Sequence, residues 1–237
     1  MSSGDGFVII GNWNGYKRPF LWLYKVFWEY ICKLIPRGNN RRTDQGSVQR
    51  MGEQENFNAR VICQKPQVEC LDSAIKKYLN KPKEEIKIID CGAGTGLSGV
   101  ELNEIGYTNL CALDISQEML NEAKKKNVFK KFICTPLNDQ QNPEVKTGEY
   151  DVMICIGTLA SAHVKPAAMV EMIRMIRIGG LISFNIRYGE LETYQPKMEE
   201  LEKRGNWEKV SEDTLPQFHR DDMPPTSTFF VYKVLKY

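Results

Sequence analysis

Short apolar runs alternate with amphipathic segments along the chain from about Pro66 onward. The apolar runs predict β-strands, and the segments between them, which repeat apolar residues at helical spacing, predict helices. The predicted strands in this part of the chain are Ile86 to Ile89, Leu110 to Leu113, Lys131 to Cys134, Asp151 to Ile156 and Leu181 to Asn185. The predicted helices are Val68 to Leu79, Leu97 to Ile105, a helix that begins near Ser116, and Pro166 to Ile176. Short strands separated by helices indicate a parallel sheet.

The last third of the chain has a different pattern. It predicts a helix near Gln195 to Arg204, a strand around Trp207 to Val210 and a β-rich terminus, "TSTFFVYKVLKY". Two strands joined by a loop without a helix should pair antiparallel. The helix that precedes the fifth strand should stop at the Gly179-Gly180 break, because glycine commonly follows the C-terminus of a helix.

The apolar run from Phe20 to Ile35 carries a charged stripe. Lys25, Glu29 and Lys33 recur every four residues and would lie along one side of a helix. The stripe, and a length below the roughly 20 residues that span a bilayer, argue against a transmembrane helix. The run also lacks a small-residue cleavage site, so it fits a signal peptide poorly. Three alternatives stay open: packing on the domain or on a partner, binding at a membrane interface, or poor order.

A polar stretch, Pro36 to Asn56, follows this run and is rich in turn-forming and charged residues, which is typical of a linker. With 237 residues the chain can bury one sizeable core but is short for two full domains. We therefore predict an N-terminal amphipathic segment and linker over residues 1–60 and one domain over residues 61–237.

The net charge bears on the kinds of binding partner, and the cysteines bear on the cellular compartment. The net charge of +2 is too small to indicate nucleic-acid binding, and its basic excess belongs to residues 1–60, which hold 9 Lys/Arg and 5 Asp/Glu. The seven cysteines contain no CxxC pair, which is typical of reduced thiols in a core. We expect a cytoplasmic protein, with the nucleus as the alternative. The two histidines, His163 and His219, form no Cys/His cluster, so no metal site is predicted.

The segment "IKIIDCGAGTGLSGVEL", Ile86 to Leu102, contains two overlapping glycine motifs. From Asp90 to Gly96 it has the acid followed by GxGxG that is found in S-adenosylmethionine enzymes, whereas Gly94 to Gly99 matches the dinucleotide motif GxGxxG. A dinucleotide presents a pyrophosphate, while S-adenosylmethionine presents a cationic ammonium that a carboxylate can hold. Because Asp90 ends the strand, we favour the first motif, with glycines 92, 94 and 96 as the cradle. Gly99 would then allow close packing of the helix on the sheet.

Asp114 ends the next strand, in "CALDIS", and is the second predicted anchor. A carboxylate at this place can accept hydrogen bonds from both hydroxyls of a ribose. Ser116 follows as the expected N-cap of the next helix. The alternative is that Asp114 only caps that helix at the surface. Since dinucleotide folds also place an acid here, Asp114 alone does not separate the two cofactors.

Four stretches of the chain resemble class I S-adenosylmethionine-dependent methyltransferases: the glycine loop, "LDISQEML", "GEYDVMICIGTL" and "MIRMIRIGGLISFNI". Together with "GTGLSGVELNEIGY" and "FFVYKV" they are most similar to the methyltransferase-like protein 27 group. The resemblance implies a Rossmann-like α/β fold with a seven-stranded, mostly parallel sheet, helices on both faces and an antiparallel C-terminal strand. It also implies S-adenosyl-L-methionine as cofactor. The cofactor contacts that it implies are Asp90, Cys91, Gly92, Ala93, Gly94, Gly96, Asp114, Ile115, Met119, Thr135, Pro136, Ile156 and Gly157.

The chain departs from the pattern of these enzymes at three places. Ile178 stands where a proline is usual, and "CTPLND" stands where an acid near the adenine is common. The aromatic segment that helps to cover the cofactor is replaced by "NFNARVICQKPQ". This last replacement motivates an alternative function, a non-catalytic binding or scaffold protein on a methyltransferase fold.

The acceptor of a methyl group is not defined by any motif. His163, after the fourth strand, is the single imidazole on the acceptor side, where it would be a general base or a substrate contact. The alternative is a loop histidine that bonds to the backbone. Tyr188 and Tyr194 are further candidates for the acceptor pocket. Without a basic face or the Pro-Pro-aromatic motif of adenine methyltransferases, a small-molecule acceptor is favoured and a nucleic acid is not expected.

Overall fold

The computed structural model describes residues 64–186, 189–216 and 226–237. The strands are β1 (Ile88–Cys91), β2 (Leu110–Asp114), β3 (Phe129–Cys134), β4 (Tyr150–Leu159), β5 (Ile176–Ile186), β6 (Trp207–Pro216) and β7 (Thr226–Val234). The helices are α1, described over 64–78, then α2 (Leu97–Glu104), α3 (Gln117–Lys124), α4 (Met169–Met175) and α5 (Leu191–Lys203). Two short 3₁₀ turns, Lys83–Glu85 and Pro166–Ala168, complete the elements.

The seven strands form one sheet in the order β3-β2-β1-β4-β5-β7-β6. The first five strands pair in parallel, and β7 pairs antiparallel with both β5 and β6. The predicted fold is therefore confirmed, including the antiparallel C-terminal pair. The strand order reverses at β1, which has β2 on one side and β4 on the other. In open α/β sheets the crevice beyond the carboxyl ends of such strands is where ligands bind.

Helices cover both faces of the sheet because side chains alternate along each strand. On the face that we call the α1 face, Val68, Leu71 and Ile75 of α1 pack with alternate strand residues such as Ile88 and Ile154. On the opposite face, the α4 face, α4 and α5 pack over the other strand residues, among them Met153 and Phe184. Each face thus has its own apolar cluster, and the strand residues of both clusters are buried.

Gly179 and Gly180 do not end the preceding helix, which corrects the sequence-based expectation. Helix α4 ends at Met175, and β5 begins at the next residue. The two glycines lie in an irregularity of β5, where the pairing with β4 shifts from Tyr150–Ile176 to Val152–Leu181. A Cβ on Gly180 would lie 2.4 Å from the carbonyl oxygen of Asp151, so close approach to the β4 backbone requires the glycine here.

Several sequence-based predictions concern residues outside the described ranges. These are the amphipathic run Phe20 to Ile35, the linker Pro36 to Asn56, Tyr188 and His219. Within the described ranges, no helix combines the length and apolar character needed to cross a bilayer.

Candidate cofactor-binding site

The glycine loop closes a tight turn at the carboxyl ends of β1 and β2. The backbone amides of Gly92 and Ala93 both donate to the carbonyl oxygen of Leu113, at 2.7 and 3.1 Å. All three cradle glycines have positive φ, 77° at Gly92, 53° at Gly94 and 82° at Gly96. The loop is therefore held by its own backbone and keeps a conformation that few other residues adopt.

Gly94 lies at the open point of this loop. Its amide donates to Asp114 Oδ2 at 2.8 Å, and a Cβ built on it would meet no atom within 4 Å. The space in front of Gly94 is thus not filled by packing, in contrast to Gly92, where a Cβ would collide with the side chain of Thr158. A ligand can approach the backbone at Gly94, as the predicted cradle requires.

Asp90 is a buried carboxylate on the α1 face, next to the loop. It is 2% exposed, and neither carboxylate oxygen has a hydrogen-bond partner within the described part of the chain. Burial, and to a lesser degree the charge of Asp114, raise the pKa of Asp90 to about 8. A buried acid without a partner is costly, and a cationic ligand that donates hydrogen bonds would relieve that cost.

Asp114 is held in place by the backbone around it. Its Oδ1 accepts from the amide of Ser116 at 2.9 Å, and its Oδ2 accepts from Gly94. Each oxygen has a second lone pair, so the carboxylate can still accept a pair of hydroxyls. Ser116 is the N-cap of α3, as predicted, because its Oγ accepts from the amide of Met119 at 3.2 Å. The predicted contact with a ribose is chemically compatible with this geometry.

Apolar side chains stand exposed beside Asp114. Ile115 is 72% exposed and Met119 is 43% exposed, although both are large hydrophobic residues. Thr135 and Pro136 follow β3 at the same edge, and the amide of Thr135 donates to the carbonyl oxygen of Asp114 at 3.0 Å. These four predicted contacts therefore meet at the carboxyl ends of β2 and β3. Exposed apolar surface next to hydrogen-bonding groups suits a flat, partly apolar ligand group such as a purine.

The carboxyl end of β4 forms the other side of the crevice. Gly157 has a φ of 69°, and its amide donates to Asn185 Oδ1 at 2.8 Å. Asn185 Nδ2 in turn donates to Ser227 Oγ at 3.3 Å, so one side chain links β4, β5 and β7. Ile156, the residue before, is partly buried and packs against the cluster of the α1 face.

The two described residues that were predicted to lie on the acceptor side, His163 and Tyr194, have different environments. His163 lies exposed on the turn after β4, and its backbone amide donates to the carbonyl oxygen of Ala160 at 2.8 Å. The expectation that Tyr194 lines an acceptor pocket is wrong. Tyr194 is completely buried, and its hydroxyl donates to the carbonyl oxygen of Val164. It therefore fastens the turn that carries His163 to α5.

The Cys91 thiol takes no part in the crevice. Its side chain points into the apolar cluster of the α4 face and is 0% exposed. Burial raises the pKa of this thiol well above its usual value, so it stays protonated. The predicted contact of Cys91 with the cofactor can therefore be made only by its backbone atoms.

The buried acid favours one of the two glycine motifs. Gly99 does not distinguish the two motifs, because close packing of the helix on the sheet is compatible with either. A Cβ on Gly99 would lie 2.1 Å from the ring of Phe129, which confirms the expected close approach of α2 to the sheet. Asp90 separates the two motifs, because a bound ammonium favours the ionised carboxylate and is attracted by it, whereas a pyrophosphate would disfavour that charge. The residues of the crevice therefore fit S-adenosylmethionine.

Sequence reasoning missed three polar residues near the crevice: Gln67 on α1, Thr158 on β4 and Asn185 on β5. Gln67 lies four residues before Leu71, on the apolar side of α1, and is 0% exposed. A polar residue in the apolar stripe of a helix was the signal that could have pointed to it. Thr158 and Asn185 gave no such signal, because their roles depend on contacts with residues of other strands and loops that the sequence does not reveal.

A cleft of about 260 Å³ lies away from this crevice. It is lined by residues of α4, α5 and their neighbours, including Val170, Arg174, Leu201, Asn206 and Tyr237. Asn206 and Tyr237 flank β6 and β7 at the end of the sheet where the parallel strands begin. The glycine loop, Asp90 and Asp114 lie at the opposite end of the sheet, so this cleft is separate from the candidate cofactor site.

Comparisons with known proteins show what this domain is similar to. Residues 89–184 match the family model of a methyltransferase domain. The fold is also that of solved S-adenosylmethionine-dependent methyltransferases. One such structure, from Clostridium acetobutylicum, is 14% identical with a TM-score of 0.53 and covers 90% of this chain and 99% of its own. Another is magnesium protoporphyrin IX methyltransferase from Synechocystis with bound S-adenosylmethionine, 14% identical, with a TM-score of 0.52, covering 93% and 99%.

The chain is also similar to a human protein. The chain is 28% identical over 148 residues to methyltransferase-like protein 27 from Homo sapiens. The match covers 60% of this chain and 57% of the human protein, so the chain matches little more than half the length of that relative. The resemblance noted in the sequence is thereby confirmed at the level of the domain.

Proposed function

We propose that this protein transfers a methyl group from S-adenosylmethionine to a small-molecule acceptor. The observation that carries the proposal is Asp90, a buried carboxylate without a hydrogen-bond partner among the described residues, at the edge of an open glycine loop. Its place, next to Gly94 and one strand away from Asp114, suits the ammonium of this cofactor. When bound, S-adenosylmethionine supplies an electrophilic methyl group on a sulfonium.

The chain's own contribution to the reaction would be binding and orientation. Asp114 would accept the ribose hydroxyls, Ile115 and Met119 would cover the adenine, and Asp90 would hold the ammonium. Fixing the donor in this way lets an acceptor approach in line, which lowers the barrier without a covalent protein intermediate. His163 would act only if the acceptor has to lose a proton.

Most of the described polar groups on the acceptor side favour an uncharged acceptor. Thr158, Ser161, Asn185 and Ser227 are neutral. Glu190, also nearby, accepts a hydrogen bond from the backbone amide of Ser161.

We further propose a reducing compartment, the cytoplasm or also the nucleus, since the described cysteines are all free thiols. The amphipathic run Phe20 to Ile35 stays a candidate for contact with a partner or a membrane interface.

Calorimetric titration tests the cofactor assignment. The wild-type chain is titrated with S-adenosylmethionine, S-adenosylhomocysteine and NAD, and Asp114→Ala is compared with Asp139→Ala, a matched change at an exposed acid. We expect both sulfur ligands to bind, NAD not to bind, and Asp114→Ala alone to weaken binding, by about tenfold to a hundredfold for lost charged hydrogen bonds. Binding of NAD instead would assign the loop to a dinucleotide. No binding of any ligand would support the scaffold alternative.

A further inference from the structure

Gln67 is a second buried group with an unused acceptor. It lies on α1 and is 0% exposed. Its Nε2 donates to Ser183 Oγ at 3.3 Å, whereas its Oε1 has no partner within the described residues. An amide oxygen in apolar surroundings without a hydrogen bond destabilises the fold, so its retention calls for another explanation.

The sheet register places Gln67 on the same face as Asp90. Asp90 of β1 pairs with Ile154 of β4, and Ile154 pairs with Ser183 of β5. Residues that pair across a sheet point to the same side, so Asp90, Ile154 and Ser183 form one row on the α1 face. The Ser183 hydroxyl holds Gln67 at one end of this row, and the Asp90 carboxylate lies at the other.

When Asp90 is ionised, the unpartnered atoms in and beside this row are all hydrogen-bond acceptors. They are the two carboxylate oxygens of Asp90 and Oε1 of Gln67, and Oε1 of Gln64, one helical turn earlier, is also buried and without a partner in the described ranges. Such a set fits a group that donates several hydrogen bonds at once. A primary ammonium has three donors and no acceptor.

We propose that Gln67 is a positioning residue that binds the ammonium of the methionine part of S-adenosylmethionine together with Asp90. This rests on the proposed function. The neutral amide lets the site hold one cation with a single buried carboxylate, which avoids placing two like charges side by side. It also gives a role to "QKPQ", the end of the segment that replaces the aromatic cover of similar enzymes.

Two ligands separate this role from a structural one. S-adenosylhomocysteine carries the ammonium, and 5′-methylthioadenosine has the same adenosine and sulfur without it. In Gln67→Met the side chain keeps its length but loses its acceptor oxygen. We expect the affinity for S-adenosylhomocysteine to fall about tenfold to a hundredfold, while the affinity for 5′-methylthioadenosine stays unchanged. Gln67→Met also removes the hydrogen bond from Nε2 to Ser183 Oγ, so the melting temperature without ligand is measured to confirm that the variant is folded.

Two further variants complete the experiment. Gln67→Glu keeps acceptor oxygens and should bind S-adenosylhomocysteine more tightly than Gln67→Met. Gln195→Met, at an exposed glutamine of α5, is the matched control and should change neither affinity. Equal weakening of both ligands in Gln67→Met, or wild-type affinity for both, would overturn the proposal. A wild-type chain that binds neither ligand would instead contradict the proposed function itself.

Discussion

Asp90 couples the stability of the fold to pH. An unfolded aspartate loses its proton near the usual pKa of 3.8, whereas burial raises the pKa of folded Asp90 to about 8. Between these two values the folded chain binds a proton that the unfolded chain does not. The contribution of Asp90 to the free energy of unfolding is therefore complete at low pH and declines as the pH rises through this interval.

Asp90→Asn removes this titration and keeps the size of the side chain. Without ligand, the variant should melt at a higher temperature than the wild type at about pH 8, and the difference should shrink toward about pH 4. Scanning calorimetry over this interval measures it, with Asp139→Asn as the control at an exposed acid. Parallel curves for the variant and the wild type would show that Asp90 ionises normally in the fold.

Single residues differ in how far the sequence predicts them. Asp90 and Asp114 could be predicted because each follows directly from its place at the end of an apolar strand. Gln67 and Asn185 could not, because their roles depend on contacts with Ser183 and Gly157 that only the folded sheet creates. Tyr194 was misplaced for a similar reason, since its position near the fifth strand did not tell whether it points outward or into the core.

At the scale of elements, α5 holds the turn that follows β4. The Tyr194 hydroxyl donates to the carbonyl oxygen of Val164, and Glu190 accepts from the amide of Ser161. His163 lies between these two attachment points. The geometry of the acceptor side therefore depends in part on these contacts with α5 and its first turn.

Tyr194→Phe tests this attachment. The loss of one buried hydrogen bond should lower the free energy of unfolding by about 1 kcal/mol. Amide hydrogen exchange should become faster in residues 160–165 and stay unchanged in the glycine loop. Tyr78→Phe, on the described part of α1, is the matched control. Unchanged exchange in residues 160–165 would mean that other contacts hold the turn.

Asp151 links three separate chain segments at the amino end of the sheet. Its carboxylate accepts from Lys81 Nζ at 2.8 Å, from the amide of Lys87 at 2.8 Å and from Arg177 Nε at 2.7 Å. Burial alone would raise the pKa of Asp151, but these three donors outweigh it and hold the pKa below its usual value. The stabilisation is therefore present above the unfolded pKa of 3.8 and is lost as the pH falls through the lower folded pKa.

Asp151→Asn should lower the free energy of unfolding at neutral pH, by about 2 to 4 kcal/mol for a broken buried charge network. The difference from the wild type should shrink as the pH falls below the usual pKa of an aspartate. Urea unfolding at neutral and at acid pH measures both effects. A constant difference at every pH would assign the loss to packing instead of charge.

At the scale of the whole molecule, the alternation of strands and helices was sufficient to predict the sheet and its antiparallel end. The boundaries were less accurate where the backbone is irregular. Two glycines in a row, as at Gly179-Gly180, are typical of the end of a helix. Here they instead allow the register shift between β4 and β5, which depends on how closely the two strands approach each other. The predicted division at residue 60 stays a prediction, because residues 1–63 lie outside the described ranges.

A crystal structure of the full chain with S-adenosylhomocysteine tests whether the glycine loop binds the methyl donor. We expect the ribose hydroxyls at the Asp114 carboxylate, the adenine against Ile115, and the amino group within hydrogen-bond distance of Asp90. Gln67 should contact the same amino group if the further inference also holds. A ligand bound away from the glycine loop, or a loop that remains empty at millimolar ligand, would contradict the assignment of this crevice to the methyl donor.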